Sequence, residues 1–212
     1  MPDAQSQVSP TALDASFGAI DIYLFDQLLR GRIRQGMRIL DAGCGSGRNL
    51  VYLLRAGFDL WAVDRDGEAI EAVRSLARRL APGVLPGRFQ VASVAQLPFP
   101  PAAFDVVLTN AVLHFAPDEP AFWSMLDDLW RVLAPGGLLW ARLASLDGIR
   151  DEVVGIGGRR YRLPTGEERF LVDVAFLAAA TAKLGGVAID PLKTVVVHGQ
   201  GSMATWCARK PA

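Results

Sequence analysis

Apolar residues recur at three- and four-residue spacing near the start of the chain, at Leu13, Phe17, Ile20, Leu24 and Leu28. That spacing predicts a helical stripe packed on whatever follows. Beyond Met37 the pattern changes. Short apolar runs at 38–42, 59–63, 88–92 and 105–109 predict strands, and the stretches 48–56, 67–80 and 119–133 between and after them predict helices. A strand over 137–144, a helix over 175–184 and strands over 187–197 and 202–209 complete the series. Strands alternating with helices imply a mostly parallel sheet covered on both faces. No internal repeat or low-complexity linker interrupts the order.

The stretch Ile39-Leu40-Asp41-Ala42-Gly43-Cys44-Gly45-Ser46-Gly47-Arg48-Asn49 carries the first chemistry. It reads as a strand, a glycine turn and a helix start. Glycines at every second position let the backbone turn sharply and let a ligand lie against it. The helix that follows adds unpaired N–H groups and the positive end of its dipole. A dinucleotide fingerprint needs a glycine three positions after Gly45, where this chain has Arg48. An acid before the turn, Asp41, would also repel a pyrophosphate. About twenty residues on, the run Leu60-Trp61-Ala62-Val63 ends in Asp64, placed to accept hydrogen bonds from ribose hydroxyls. Its competing use is a helix cap, for which Asp66, directly before Gly67, is better placed.

The D-x-G-x-G-x-G form resembles motif I of the class I S-adenosylmethionine-dependent methyltransferases. Three further landmarks follow in the family's order: the acid Asp64, Gln96-Leu97-Pro98-Phe99-Pro100 leading into Phe104-Asp105-Val106-Val107-Leu108-Thr109-Asn110, and Val132-Leu133-Ala134-Pro135-Gly136-Gly137-Leu138-Leu139. Together they are similar to methyltransferase domains of types 11 and 25. Gly47-Arg48-Asn49, Tyr52-Leu53 and Gly57-Phe58-Asp59 give a weaker likeness to tellurite-resistance and thiopurine methyltransferases. The resemblance implies an α/β, Rossmann-like three-layer sandwich with a seven-stranded, mostly parallel sheet and an antiparallel last strand. It implies S-adenosylmethionine as cofactor, S-adenosylhomocysteine as product, and a methyl acceptor that is a small molecule. The cofactor residues it implies are Asp41, Gly43, Cys44, Gly45, Gly47, Asp64, Arg65, Ser93, Val94 and Asn110. Ser93 departs from the family, many members of which have an acid there to meet the adenine amino group. In relatives the N-terminal segment covers the cofactor, which would turn Phe17 or Tyr23 toward the pocket.

On this reading the chain is one domain over 1–212. Residues 1–36 form a helical cap, 37–144 the cofactor core, 145–172 a lid or substrate loop, and 173–212 a C-terminal helix and strands. The segment from Ala144 to Val172 is glycine-rich and basic, and Tyr161-Arg162-Leu163 with Arg169-Phe170-Leu171 predict a hairpin around Pro164-Thr165-Gly166. Its arginines are either balanced by Asp151, Glu152, Glu167 and Glu168 on a solvated surface or, with Arg160 and Arg162 foremost, recognise an anion on the acceptor. Tyr23 is a third candidate for acceptor contact. His114 follows the fourth strand and is the candidate general base, against the alternative of a packed histidine bonded to backbone.

Composition narrows the rest. Twenty-two basic residues balance twenty-two acidic ones, which argues against a nucleic-acid footprint. No run is long and apolar enough to span a bilayer, and 1–10 lacks the marks of a secretory signal. The expectation is a cytoplasmic protein without a membrane partner. Cys44 and Cys207 are the two cysteines, too few and too far apart for a metal site or disulfide framework. Two other functions stay open: a regulatory module that binds S-adenosylmethionine without turning it over, and an NAD(P)-dependent oxidoreductase, opposed by Arg48 and the Pro135-Gly136-Gly137 turn. The oligomeric state and the acceptor are left open.

Overall fold

A computed structural model describes residues 10–212. The central strand, β1 (Arg38–Ala42), is buried from Ile39 onward. It pairs in parallel with β2 (Asp59–Asp64) on one side and with β4 (Phe104–Asn110) on the other. Beyond β2 lies the short β3 (Phe89–Val91), and beyond β4 lies β5 (Leu133–Ala144), both again parallel. The last long strand, β11 (Gly201–Arg209), runs antiparallel to β5 and carries β10 (Lys193–Val197) on its far side. The sheet order is therefore β10-β11-β5-β4-β1-β2-β3. The two-residue β9 (Val187–Ala188) also pairs with β11 and makes an eighth member. The expected single strand over 187–197 is thus two pieces, separated by the Asp190-Pro191 loop, where proline has no N–H to give a ladder.

Alternation along each strand sends side chains to two different layers. Leu40, Val107, Leu139, Ala141 and Leu143 meet α5 (Glu119–Val132) and α6 (Val174–Lys183) through Phe122, Leu126, Leu129, Phe176 and Leu177. Ile39, Leu60, Val106, Leu108 and Trp140 face the other way, onto α3 (Leu50–Arg55) and α4 (Gly67–Leu80) through Leu50, Leu53, Ile70 and Val73. A strand buried on both faces reads as an unbroken apolar run, which is why the pattern located these strands well.

The N-terminal stripe is two helices rather than one. The helix α1 (Pro10–Phe17) stops at Gly18, whose φ is +61°, and α2 (Ile22–Leu29) starts afresh after the N-cap Asp21. A β-carbon on Gly18 would lie 2.7 Å from Val51, so the break lets the chain pass close over α3. The segment 145–172 folds as a small antiparallel sheet of its own. The expected hairpin is there as β7 (Arg160–Arg162) and β8 (Glu168–Phe170), and β6 (Val154–Gly157) adds an outer third strand. Leu171 and Ile149 seat this sheet on the end of β5.

Candidate cofactor site

The C-terminal ends of β1 to β4 open into a cavity of about 710 Å³. Because β1 has its sequence neighbour β2 on one side and β4 on the other, this is the point where the strand order reverses, where open α/β sheets leave a crevice. The glycine turn forms one wall. Gly43 has φ +84°, and a β-carbon there would lie 2.2 Å from Val112 on the loop after β4. Gly45, with φ +51°, would meet nothing within 4 Å, so its missing side chain leaves the cavity open. Gly47 has another use: its β-carbon would press on Val73 and Leu76, so it lets α4 pack close to the turn.

Asp64 ties the turn to the tip of β2. One carboxylate oxygen accepts from Gly45 N–H at 2.8 Å, the other from Asp66 N–H at 3.0 Å. Since an ionised carboxylate offers about four acceptor positions, about two remain for a ligand's hydroxyls. Asp66 caps α4, accepting from Glu68 N–H at 2.9 Å, as the sequence predicts. Asp41 differs from both acids. It is 1% exposed, neither oxygen has a partner among the described residues, and burial together with the charge of Asp64 pushes its carboxyl up to about 7, against the opposing pull of Arg48. A buried acid without a donor is costly unless something cationic or hydrogen-bonding completes it. Cys44 also borders the cavity; burial raises its thiol far above the usual range, so it stays protonated.

The opposite wall comes from Ala92, Ser93, Val94 and Ala95 after β3 and from Phe115, Ala121 and Met125 near the start of α5. The Ser93 hydroxyl accepts from Ala95 N–H at 3.2 Å and keeps one lone pair and its own proton. The Leu97-Pro98-Phe99 loop below is held from α5: Asp128 accepts from Leu97 N–H, and Arg131 donates to the carbonyls of Phe99 and Leu97 at 2.7 and 3.1 Å. Ala111, between Asn110 and Val112, sits at φ +60°, a conformation that costs a non-glycine residue roughly 1–2 kcal/mol and often marks a constrained site.

Of the residues read from the sequence, Gly43, Cys44, Gly45, Asp64, Arg65, Ser93, Val94 and Asn110 border the cavity. Asp41 and Gly47 lie directly behind it. His114, Tyr23, Arg160 and Arg162 do not line it. His114 Nδ1 accepts from the buried Ala144 N–H at 3.1 Å, and burial, with the charge of Arg169, pushes its pKa down to about 4. The imidazole is therefore neutral and fastened to β5. Arg160 and Arg162 both bond to Glu168 across the small sheet, at 3.3 and 3.0 Å, the self-balanced arrangement the sequence left open. Tyr23 lies beside the Arg142 guanidinium, 5.3 Å from its ring centre. Phe17 stacks on Tyr52 at 5.4 Å and so faces α3.

Asp21 and Arg142 escaped the sequence reading, in which Arg48 and Asn49 figured only in the glycine turn and the family likeness. Asp21 is buried, and its Oδ2 accepts from Arg48 at 3.4 Å, from Asn110 at 3.2 Å and from Arg142. Asn49 accepts from Asp21 N–H at 2.9 Å. The one signal for Asp21 was its place as a potential cap before Ile22; its partners lie 27 to 121 positions away.

Comparison with known proteins finds a family match and a shared fold. A sequence profile described as a methyltransferase domain matches residues 40–141. A malonyl-[acyl-carrier protein] O-methyltransferase of Erwinia billingiae is 30% identical over 65% of this chain and 50% of its own length. A 27-O-demethylrifamycin SV methyltransferase of Amycolatopsis mediterranei is 33% identical over 50% of this chain and 38% of its own. The chain thus spans about half the length of the curated relatives it matches. Among solved structures, 1,6-didemethyltoxoflavin-N1-methyltransferase of Burkholderia thailandensis, bound to its substrate and S-adenosylhomocysteine, superposes with a TM-score of 0.67 at 24% identity, covering 87% of this chain and 76% of that one. That likeness is one of fold.

Proposed function

This chain belongs to the class I S-adenosylmethionine-dependent methyltransferase superfamily, and from that premise we propose that it transfers a methyl group to a small-molecule acceptor. Its cofactor is S-adenosylmethionine. The observation that carries the reading is a pair of acids: Asp41 behind the cavity, buried with both oxygens unpartnered among the described residues, and Asp64 at the cavity, with acceptor positions to spare. A ligand with a cationic amino-acid end and a ribose completes both, whereas a pyrophosphate would meet two negative charges.

Each residue then has a task. Asp41 balances the ammonium of the amino-acid end. Arg48, half exposed at the cavity wall, faces its carboxylate. Asp64 takes the ribose hydroxyls, and the backbone at Gly45 leaves them room. Ser93 and Val94 border the base, with Val112 and Met125 as apolar walls. When bound, S-adenosylmethionine supplies a methyl group already activated by its sulfonium. The protein's remaining work is to hold the acceptor atom in line and keep water out, which lowers barriers by about 7–11 kcal/mol in favourable cases. An acceptor atom that is already anionic needs no base, which suits a site whose nearest histidine is neutral and bonded to backbone. The name of one relative, a demethylrifamycin SV methyltransferase, supports a small acceptor, while that of another, a malonyl-[acyl-carrier protein] O-methyltransferase, places the acceptor group on a carrier protein.

The test is calorimetric titration with S-adenosylmethionine, S-adenosylhomocysteine and NADH, followed by an acceptor screen with labelled methyl donor. Saturable binding of the first two and methyl incorporation into a small molecule are expected. Binding of NADH alone overturns the reading. Tight cofactor binding with no acceptor turned over across thiols, phenols, amines and carboxylic acids would favour a module that holds the cofactor without using it.

A further inference from the structure

Arg142 is an unusual arginine for a sheet interior. It lies near the C-terminal end of β5, in register with Asn110 of β4, with its side chain 20% exposed. Its Nη1 donates to Asp21, but its Nε is buried without a partner among the described residues. Leaving a buried charged donor unpaired costs more than an ordinary unmade hydrogen bond. A guanidinium is built to give two parallel N–H groups to one carboxylate, and here only part of that fork is used.

The charge around it is unbalanced in the same sense. Asp21 Oδ2 takes donors from Arg48, Arg142 and Asn110, so one carboxylate answers two cations. The other acids near α2, Asp26 and Asp190, are committed to Arg30, Arg32 and Lys193. Among the described residues Asp21 is the one carboxylate in salt-bridge range of Arg142. It is carried on the hinge between α1 and α2, three residues beyond Gly18. Neither Asp21 nor Arg142 lines the cavity, but Arg48 and Asn110, both bonded to Asp21, border it directly.

We propose that Arg142, with Asn110, binds a carboxylate on the methyl acceptor, and that Asp21 fills this carboxylate position from within the chain when the acceptor is absent. This rests on the methyltransferase reading and names the chemistry of its acceptor. The placement divides the crevice sensibly. The cofactor residues stand at the ends of β1, β2 and β3, and Arg142 and Asn110 stand at the ends of β5 and β4, on the other side of the strand reversal. An acceptor carboxylate entering there would satisfy Nε and Nη together, and Asp21 would withdraw with α2.

The experiment titrates malonate and benzoate, with malonamide and benzamide as neutral controls, into wild type, Asp21→Asn and the double variant Asp21→Asn/Arg142→Gln. Each is measured with and without saturating S-adenosylhomocysteine, and folding is checked by thermal melts. Asparagine still caps α2 by accepting from Tyr23 N–H, but it no longer competes as an anion. Asp21→Asn should bind at least one of the carboxylates tenfold or more tighter than wild type. The double variant should lose that gain, and the amides should bind nowhere. Equal carboxylate affinity in all three proteins, binding of the amides as well, or no carboxylate binding to Asp21→Asn would each overturn the proposal. Loss of the double variant through misfolding leaves the gain in the single variant as the deciding result. Failure of S-adenosylhomocysteine to bind wild type would instead count against the methyltransferase reading, while the titrations without it still read Arg142.

Discussion

Cofactor affinity should rise with pH up to neutrality, and Asp41 is the reason. In the free protein its carboxyl is 1% exposed, has no hydrogen-bond partner among the described residues, and ionises near 7 because burial and the charge of Asp64 oppose the anion, with Arg48 as the opposing cation. An ammonium placed beside it favours the anion, so the complex holds Asp41 ionised and binding releases a proton wherever the free carboxyl is protonated. With a free pKa of about 7, the ionised fraction falls from roughly three-quarters at pH 7.5 to roughly 3% at pH 5.5. The dissociation constant of S-adenosylhomocysteine should therefore weaken about 25-fold over that range, with close to one proton released per ligand at pH 6. Calorimetry in two buffers of different ionisation enthalpy counts that proton. Neither neighbour confuses the window, since the Cys44 thiol titrates far above it and His114 near 4. Asp41→Asn should bind more weakly at pH 7.5 and lose the slope. A wild-type constant that is flat within twofold, or an asparagine variant with the same slope, would refute the assignment. The sign for the free protein's stability is opposite. The folded state keeps a proton that the unfolded chain sheds above its ordinary value, so Asp41 makes the free protein less stable as pH rises toward 7.

The two glycines of the turn should separate fold from ligand. Gly43→Ala drives a β-carbon into Val112 at a positive φ and should lower the melting temperature sharply or prevent folding, whereas Gly45→Ala should keep the fold at a cost of roughly 1–2 kcal/mol and lose at least tenfold in cofactor affinity. Equal melting temperatures in the two would contradict this. Asp64→Ala removes the acceptor for Gly45 and Asp66 N–H groups and should weaken S-adenosylhomocysteine binding thirtyfold or more; a change below threefold would remove Asp64 from the site. His114→Leu leaves the Ala144 N–H unpaired and should cost about 1–3 kcal/mol in denaturant unfolding, with part recovered by His114→Asn. Because the folded His114 pKa lies below its ordinary value, wild type loses this residue's share of stability as pH falls from about 6.5 through 4. The leucine variant should lack that limb, and cofactor affinity should not move in either.

The sequence by itself determined the order of strands and helices, the family, and the glycine turn and Asp64 that border the cavity. Strands β1, β2 and β4 and helices α4 and α5 were readable because each shows a clear apolar run or period, and Asp66 marks the start of α4. The glycine turn and Asp64 were readable because a turn with positive φ and close backbone approaches needs particular residues at particular short spacings. Tertiary structure decided what depends on distant partners. Nothing local distinguishes Asp21 from an ordinary helix cap; it becomes a hub because β4, β5 and the turn after β1 bring Asn110, Arg142 and Arg48 to one oxygen. His114 was a candidate base until the fold set its Nδ1 against the Ala144 backbone. The hairpin arginines were ambiguous until their register paired Arg162 with Glu168. Local rules specify backbone conformation, but the partner a charged side chain meets is fixed only when the sheet orders its strands, and the cluster around Asp21 is built from such meetings.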